Sequence, residues 1–167
     1  MTIIDKNIFR IFATATEKVI DVITGQQAQG SKHFQSDGEI PSEHLTGFCE
    51  FQGDLEGIAA LIIPEILARK FANKILLQND NTPIDENLID EAVCEIINQF
   101  SGLVRTDLSR AGFKTDFSIP EIIVNETDQI IHFNEFESYK IPFECLDERF
   151  YIYLSISVNV SSKAPVV

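Results

Sequence analysis

The chain has 167 residues, 44% of them hydrophobic, and a formal net charge of −13. That length suits one domain with a real core, and that apolar content excludes a disordered chain. The acids are spread along the sequence, which repels phosphate backbones and anionic membranes, and no apolar run reaches the roughly 18 residues of a membrane span. Nucleic-acid and membrane functions are set aside on these grounds. A partner with a basic rim fits the charge. The N-terminus lacks a basic region leading into a long apolar run, so no secretory signal is read and a cytoplasmic setting is expected. Cys49, Cys94 and Cys145 are odd in number and far apart, and His33, His44 and His132 are scattered. That pattern gives a zinc site little support and suits reduced thiols.

Ile8, Ile11, Phe12, Ala15, Val19, Val22 and Ile23 recur at helical spacing, and Gly25 stops the pattern. Residues 26–42 are polar, with Gly30, Gly38 and Pro41, and read as a ragged strand or a mobile loop. Leu45 to Phe51 is strand-like, Gly53 and Asp54 form a turn, and Gly57 to Ile63 is a second strand, so a hairpin is expected. Pro64 is placed at the first position of a helix whose apolar face carries Ile66, Leu67, Phe71, Ile75 and Leu76. A polar connector, Gln78 to Pro83, leads to a long helix over Ile84 to Ala111, with Asp85 as its start signal and Gly112 as its stop.

Beyond Gly112 the chain turns to strands. Phe117 to Val124 is β-branched and apolar, and Pro120 within it suits an edge or a strand start. Ile130 to Phe133 reads as a weak strand, and Ile141 to Cys145 and Phe150 to Val158 flank a polar turn. In the last run Phe150, Ile152, Leu154 and Ile156 alternate with Tyr151, Tyr153, Ser155 and Ser157, which predicts one buried face and one wetter face. Residues 161–167 read as a loose tail. The order predicts an α+β fold in one domain over 1–167, with helices packed on an antiparallel-rich sheet.

The long helix carries the candidate site. At about 100° per residue, Ile89, Val93, Ile96, Ile97, Phe100, Leu103 and Val104 share one face. Glu91, Glu95, Asn98, Gly102 and Arg105 form a stripe on the opposite side. Glu95 and Asn98 lie one turn apart, so a carboxylate and a carboxamide are presented together on a rigid rod. Such a pair on the wet side of a helix is often only a solvated face. Two features speak for function. Asn is a modest helix former, and Gly inside a helix costs about 1 kcal/mol relative to Ala. A bare backbone at Gly102 suits close approach of another protein. A tight contact within the same fold is the other explanation for that glycine. Phosphate-binding loops of the GxxxxGK type, GxSxG and HExxH are all missing from the sequence.

At these residues the chain resembles a known family. The stretch DEAVCEIINQFSG, with Glu95-x-x-Asn98 followed by Ser101 and Gly102, is similar to the phosphatase motif of CheX, in the CheC/CheX/FliY group of bacterial chemotaxis phosphatases. The first helix ending TGQQ, the hairpin TGFCEFQGDLEGIAALIIP, the strand FSIPEIIV and the ending IPFEC…FYIYLSISV occur in matching order. Glu91 stands where the family often has Asp or Ser, and Asn7-Ile8 replaces an Asn-Pro. CheC-like members often carry two motif copies. One copy is found here, which favours CheX.

The resemblance implies a CheC-like fold of three helices on an antiparallel sheet. It implies a phosphatase acting on the aspartyl phosphate of a phosphorylated CheY-type receiver, with Glu95 and Asn98 as catalytic residues and Glu91 and Gly102 as partner contacts. It also implies a homodimer joined through its sheets, with an edge offered by the C-terminal strands, and a Mg²⁺ ion supplied by the receiver rather than by this chain. A non-catalytic adaptor that binds receivers is the alternative.

Overall fold

The computed structural model describes residues 4–30, 43–124 and 136–159. The chain begins with helix α1, Lys6–Thr24, whose N-cap Asp5 accepts a hydrogen bond from the Asn7 N–H at 2.9 Å. Gly25 ends it in the left-handed conformation at φ 70°, which glycine adopts without a Cβ clash. A short strand β1, Gln29–Gly30, follows. The expected hairpin is present as β2, His44–Gly53, and β3, Leu55–Pro64, and runs directly into helix α2, Glu65–Ile75. Helix α3, Glu86–Arg110, is the longest element. Strands β4, Thr115–Phe117, and β5, Glu121–Val124, precede a second hairpin of β6, Ser138–Cys145, and β7, Glu148–Val158.

The strands form one antiparallel sheet in the order β1-β6-β7-β3-β2-β4, with β5 also pairing β2. Both β4 and β5 lie along the outer edge of β2, against Phe51–Gly53 and Leu45–Phe48 respectively. Pro120 falls in the gap between them, where no ladder donor is needed. The expected single run from Phe117 to Val124 is therefore two strands. The tight turn of the second hairpin places Leu146 and Asp147 at φ 51° and 62°, the twist that joins neighbouring antiparallel strands.

The three helices pack against one another and cover one face of the sheet. Phe12 of α1 lies 5.9 Å from Phe51 of β2 and 6.0 Å from Phe100 of α3, ring centre to ring centre. These rings join three elements at the centre of the core, and each such pair adds roughly 0.5–1.5 kcal/mol beyond its buried area. Helix α3 approaches β2 closely at Gly47, where an added Cβ would sit 2.9 Å from Val93 Cγ1 and 3.2 Å from Ile97 Cγ1.

Several expectations need correction. Tyr151, Tyr153 and Ser155 are not on a wet face, being 5%, 2% and 0% exposed. Strand β7 is internal, and Tyr151 and Tyr153 join Ala60 and Ile62 in a second apolar cluster flanked by Phe48, Ile58 and Ile123. Its polar tips are satisfied locally, since the Tyr153 hydroxyl bonds Ser138 Oγ at 2.7 Å. Because β7 lies between β3 and β6, it offers no free edge. Pro64 ends β3 in an extended conformation (ψ 139°), and the helix starts one residue later. Val22 and Ile66 are exposed, where their spacing predicts burial. The expected strand over 130–133, the tail over 161–167 and most of the polar stretch over 26–42 lie outside the described residues, apart from β1.

Candidate functional site

Helix α3 is built to present one face rigidly. Its start is fixed twice. The Asp85 carboxylate caps it by accepting the Asn87 N–H at 2.8 Å. The preceding loop is held by the buried Asn73, whose amide donates to the carbonyls of Asp80 and Thr82, both at 3.1 Å. Lys74 adds an ion pair to Asp80 at 3.0 Å. Along the helix Ile89, Ala92, Val93, Ile96, Ile97, Phe100, Val104 and Leu108 are buried. The opposite side is left to solvent.

On that side Glu91, Glu95 and Asn98 are exposed, and Gly102 is half-buried. Three residues separate Glu95 from Asn98, a rise of about 4.5 Å along the axis. The helix thus brings the sequence-predicted residues onto one surface. Glu95 is not a free carboxylate. Gln99 Nε2 donates to its Oε1 at 2.7 Å, an i,i+4 pair. The stripe reading leaves Gln99 out, although a Glu followed four residues later by Gln is a recognisable pairing signal. The Asn98 side chain has no hydrogen-bond partner among the described residues, while its backbone carbonyl accepts from Ser101 Oγ at 2.9 Å. An ionised Glu only accepts hydrogen bonds, whereas an Asn both donates and accepts. A water or a substrate oxygen can therefore be held by Asn98 from either side.

A Cβ added at Gly102 would meet nothing within 4 Å. Among the described residues, no other part of the fold comes close to this glycine. The helix surface is simply bare at that point, and Gly102 O accepts a hydrogen bond from Thr106 Oγ1 at 3.0 Å.

The flank of the stripe is acidic. Burial, then the nearby Glu86 charge, raises the Asp90 carboxyl above its ordinary value. Cys94, between Glu91 and Glu95 in the sequence, has its thiol raised by burial and then by the charges of Asp90 and Glu91. A thiol so placed is a poor nucleophile. No group of His, Cys, Asp and Glu able to hold a metal ion is found among the described residues.

A family model for the chemotaxis phosphatase CheX matches residues 45–144, the stretch from the first hairpin through α3 to β6. The chain belongs to the CheX family. No curated protein matches the sequence. Solved CheX structures share the fold. The protein from Desulfovibrio desulfuricans is 18% identical with a TM-score of 0.75, the match covering 90% of this chain and 99% of that one. The Vibrio vulnificus CheX is 19% identical with a TM-score of 0.75, covering 90% and 96%. The CheX of Borrelia burgdorferi, solved in complex with CheY, BeF₃ and Mg²⁺, is 18% identical with a TM-score of 0.70, covering 89% and 96%. The expected CheC-like α+β architecture, with three helices on an antiparallel sheet, is therefore the observed one. No helix among the described residues is long and apolar enough to cross a membrane.

Proposed function

We propose that this CheX-family chain hydrolyses the aspartyl phosphate of a CheY-type response regulator. The observation that carries the reading is the surface of α3, where the Gln99-braced Glu95 and the unengaged carboxamide of Asn98 stand on one face. In a receiver, the phosphoryl group lies beside a Mg²⁺ ion that the receiver itself binds, and that ion stabilises the charge that develops. The group lacking there is a water held in line with the bond to be broken. Asn98 enters the receiver's site and orients that water. The water oxygen bonds to phosphorus, the bond from phosphorus to the aspartyl oxygen breaks, and the carboxylate leaves. Phosphoryl transfer depends mostly on such positioning and on charge stabilisation, so Asn98 need not act as a base.

Glu95 pairs with a lysine of the receiver and fixes the docking register. Its bond to Gln99 occupies Oε1 and leaves Oε2 for that lysine. Glu91, one turn earlier, extends the contact, and the bare backbone at Gly102 admits the partner surface. In this reading residues 1–167 act as one domain in the cytoplasm, where receivers work, and neither nucleic acid nor membrane is a partner.

A homodimer joined through sheet edges is part of the same proposal. Strand β6 is paired by β1 only at Phe143 and Glu144. Its Ser138–Pro142 stretch has no second strand partner among the described residues. Sedimentation at micromolar concentration should give twice the chain mass of 18.8 kDa. A monomer would remove this element.

The function is tested by following loss of phosphate from a CheY-type receiver of the same cell. The chain is expected to accelerate it. Glu95→Ala should raise KM and lower turnover together. Binding without acceleration would instead identify a non-catalytic adaptor.

A further inference from the structure

The exposed stripe does not stop at Gly102. Arg105, Thr106 and Ser109 continue it and are all exposed. They lead into a cleft of about 810 Å³ between the end of α3, the β2–β3 turn and β4. The lining includes Asp54, Arg105, Ser109, Arg110, Lys114 and Thr115. In a chain of net charge −13 this corner is unusual, because three of its cations converge there.

Their engagement differs. Arg110 is paired to Asp107 at 3.0 Å. Neither the Arg105 guanidinium nor the Lys114 ammonium has a hydrogen-bond or ion-pair partner among the described residues. Of the lining acids, Asp54 accepts the Lys114 backbone N–H at 2.7 Å. Asp116 is exposed and also lines the cleft, so two acids there face three cations. Thr115 lines the cleft beside these cations and is 7% exposed. The negative end of the helix dipole opposes an anion here. That opposition is reduced because Ala111, Phe113 and Gly112 N–H groups cap the carbonyls of Asp107, Leu108 and Ser109.

We propose that this cleft is a socket for an acidic side chain of the docked receiver, with Arg105 and Lys114 as the contacts that read it. The inference rests on the receiver-phosphatase reading. The carboxylate would accept two parallel bonds from Arg105 and a charge contact from Lys114. The arrangement has a consequence for direction. Arg105 lies ten residues past Glu95, about 15 Å along the axis. The stripe therefore runs from acid to base, so a receiver docked in reverse would meet like charge at both ends. Charges so placed select orientation and partner more than they add affinity.

The test is steady-state dephosphorylation of a phosphorylated receiver by Arg105→Glu and Lys114→Glu. The control is Arg149→Glu, the same charge change on β7, remote from the cleft across the sheet. Circular dichroism establishes that each variant is folded. Both socket variants should raise KM about tenfold, hold kcat within about twofold and flatten the salt dependence. Arg105→Lys should recover part of the loss, and the control should match the wild type. Wild-type KM and salt dependence in both socket variants, alongside a fully active wild type, would overturn the socket and leave the phosphatase reading standing. A wild type that accelerates nothing overturns both. If inorganic phosphate binds the wild type by calorimetry, and the variants lose that binding with KM unchanged, the cleft takes a small anion and the docking assignment is wrong.

Discussion

The carboxylate of Glu95 is tied to Gln99 by a 2.7 Å hydrogen bond along the exposed face of α3. The bond holds a long side chain in one orientation before any partner arrives. Removing it should leave the fold nearly untouched, because an exposed i,i+4 pair contributes about 0.2–0.5 kcal/mol. Gln99→Ala is therefore expected to lower kcat/KM by about three- to fivefold with a Tm within about 2 °C of wild type. Thermal unfolding beside receiver dephosphorylation measures both. A Tm loss in proportion to the activity loss would make Gln99 merely structural.

The position of α3 depends on Gly47. A methyl group there would press on Val93 at 2.9 Å and Ile97 at 3.2 Å, both β-branched and held in the core. Gly47→Ala should destabilise by about 1–3 kcal/mol through this overpacking. Urea unfolding gives the value. An unchanged midpoint would mean that the helix moves away freely, and that the stripe is less rigidly placed than described.

Phe100 joins α3 to α1 through Phe12 and is 2% exposed. Phe100→Ala should cost about 3–5 kcal/mol, as deletion of a buried ring does. A cost under about 1 kcal/mol in the same urea titration would contradict the described core.

Alkaline stability follows from two groups. Burial pushes the Cys49 thiol up to about 12, and a hydrogen bond to Glu137, followed by burial, pushes the Tyr139 phenol up to about 12. Each folded value lies above the unfolded one, so over that range the folded chain keeps protons that the unfolded chain has lost. Their stabilising contribution is complete below about pH 9 and is lost progressively towards pH 12. The urea midpoint should fall across that window, and Cys49→Ala should make the fall shallower. Equal slopes in wild type and variant would exclude Cys49 as a source.

Much of this was legible in the sequence because single elements announced themselves. The hairpin of β2 and β3 and the whole of α3 follow from apolar periodicity and turn residues, and Asp85 and Gly25 act at helix ends as their types predict. What failed depends on neighbours. Alternation in β7 shows two faces but not that both are covered, so Tyr151 and Tyr153 were misplaced. Val22 and Ile66 fit a helical repeat yet face outward, since nothing in the repeat says where another element will lie. The cleft was invisible for the same reason. Asp54, Arg105 and Thr115 come from three elements, and only folding brings them to one place.

The central claim is that Asn98 positions the attacking water, and single-turnover hydrolysis with the receiver saturated tests it most directly. Asn98→Ala should bind a receiver bearing beryllofluoride within a few-fold of wild type, yet lose about 10²-fold or more in the rate of phosphate loss. A variant that keeps the wild-type rate at saturation would show that the carboxamide does not position the water, and the proposed mechanism would fall.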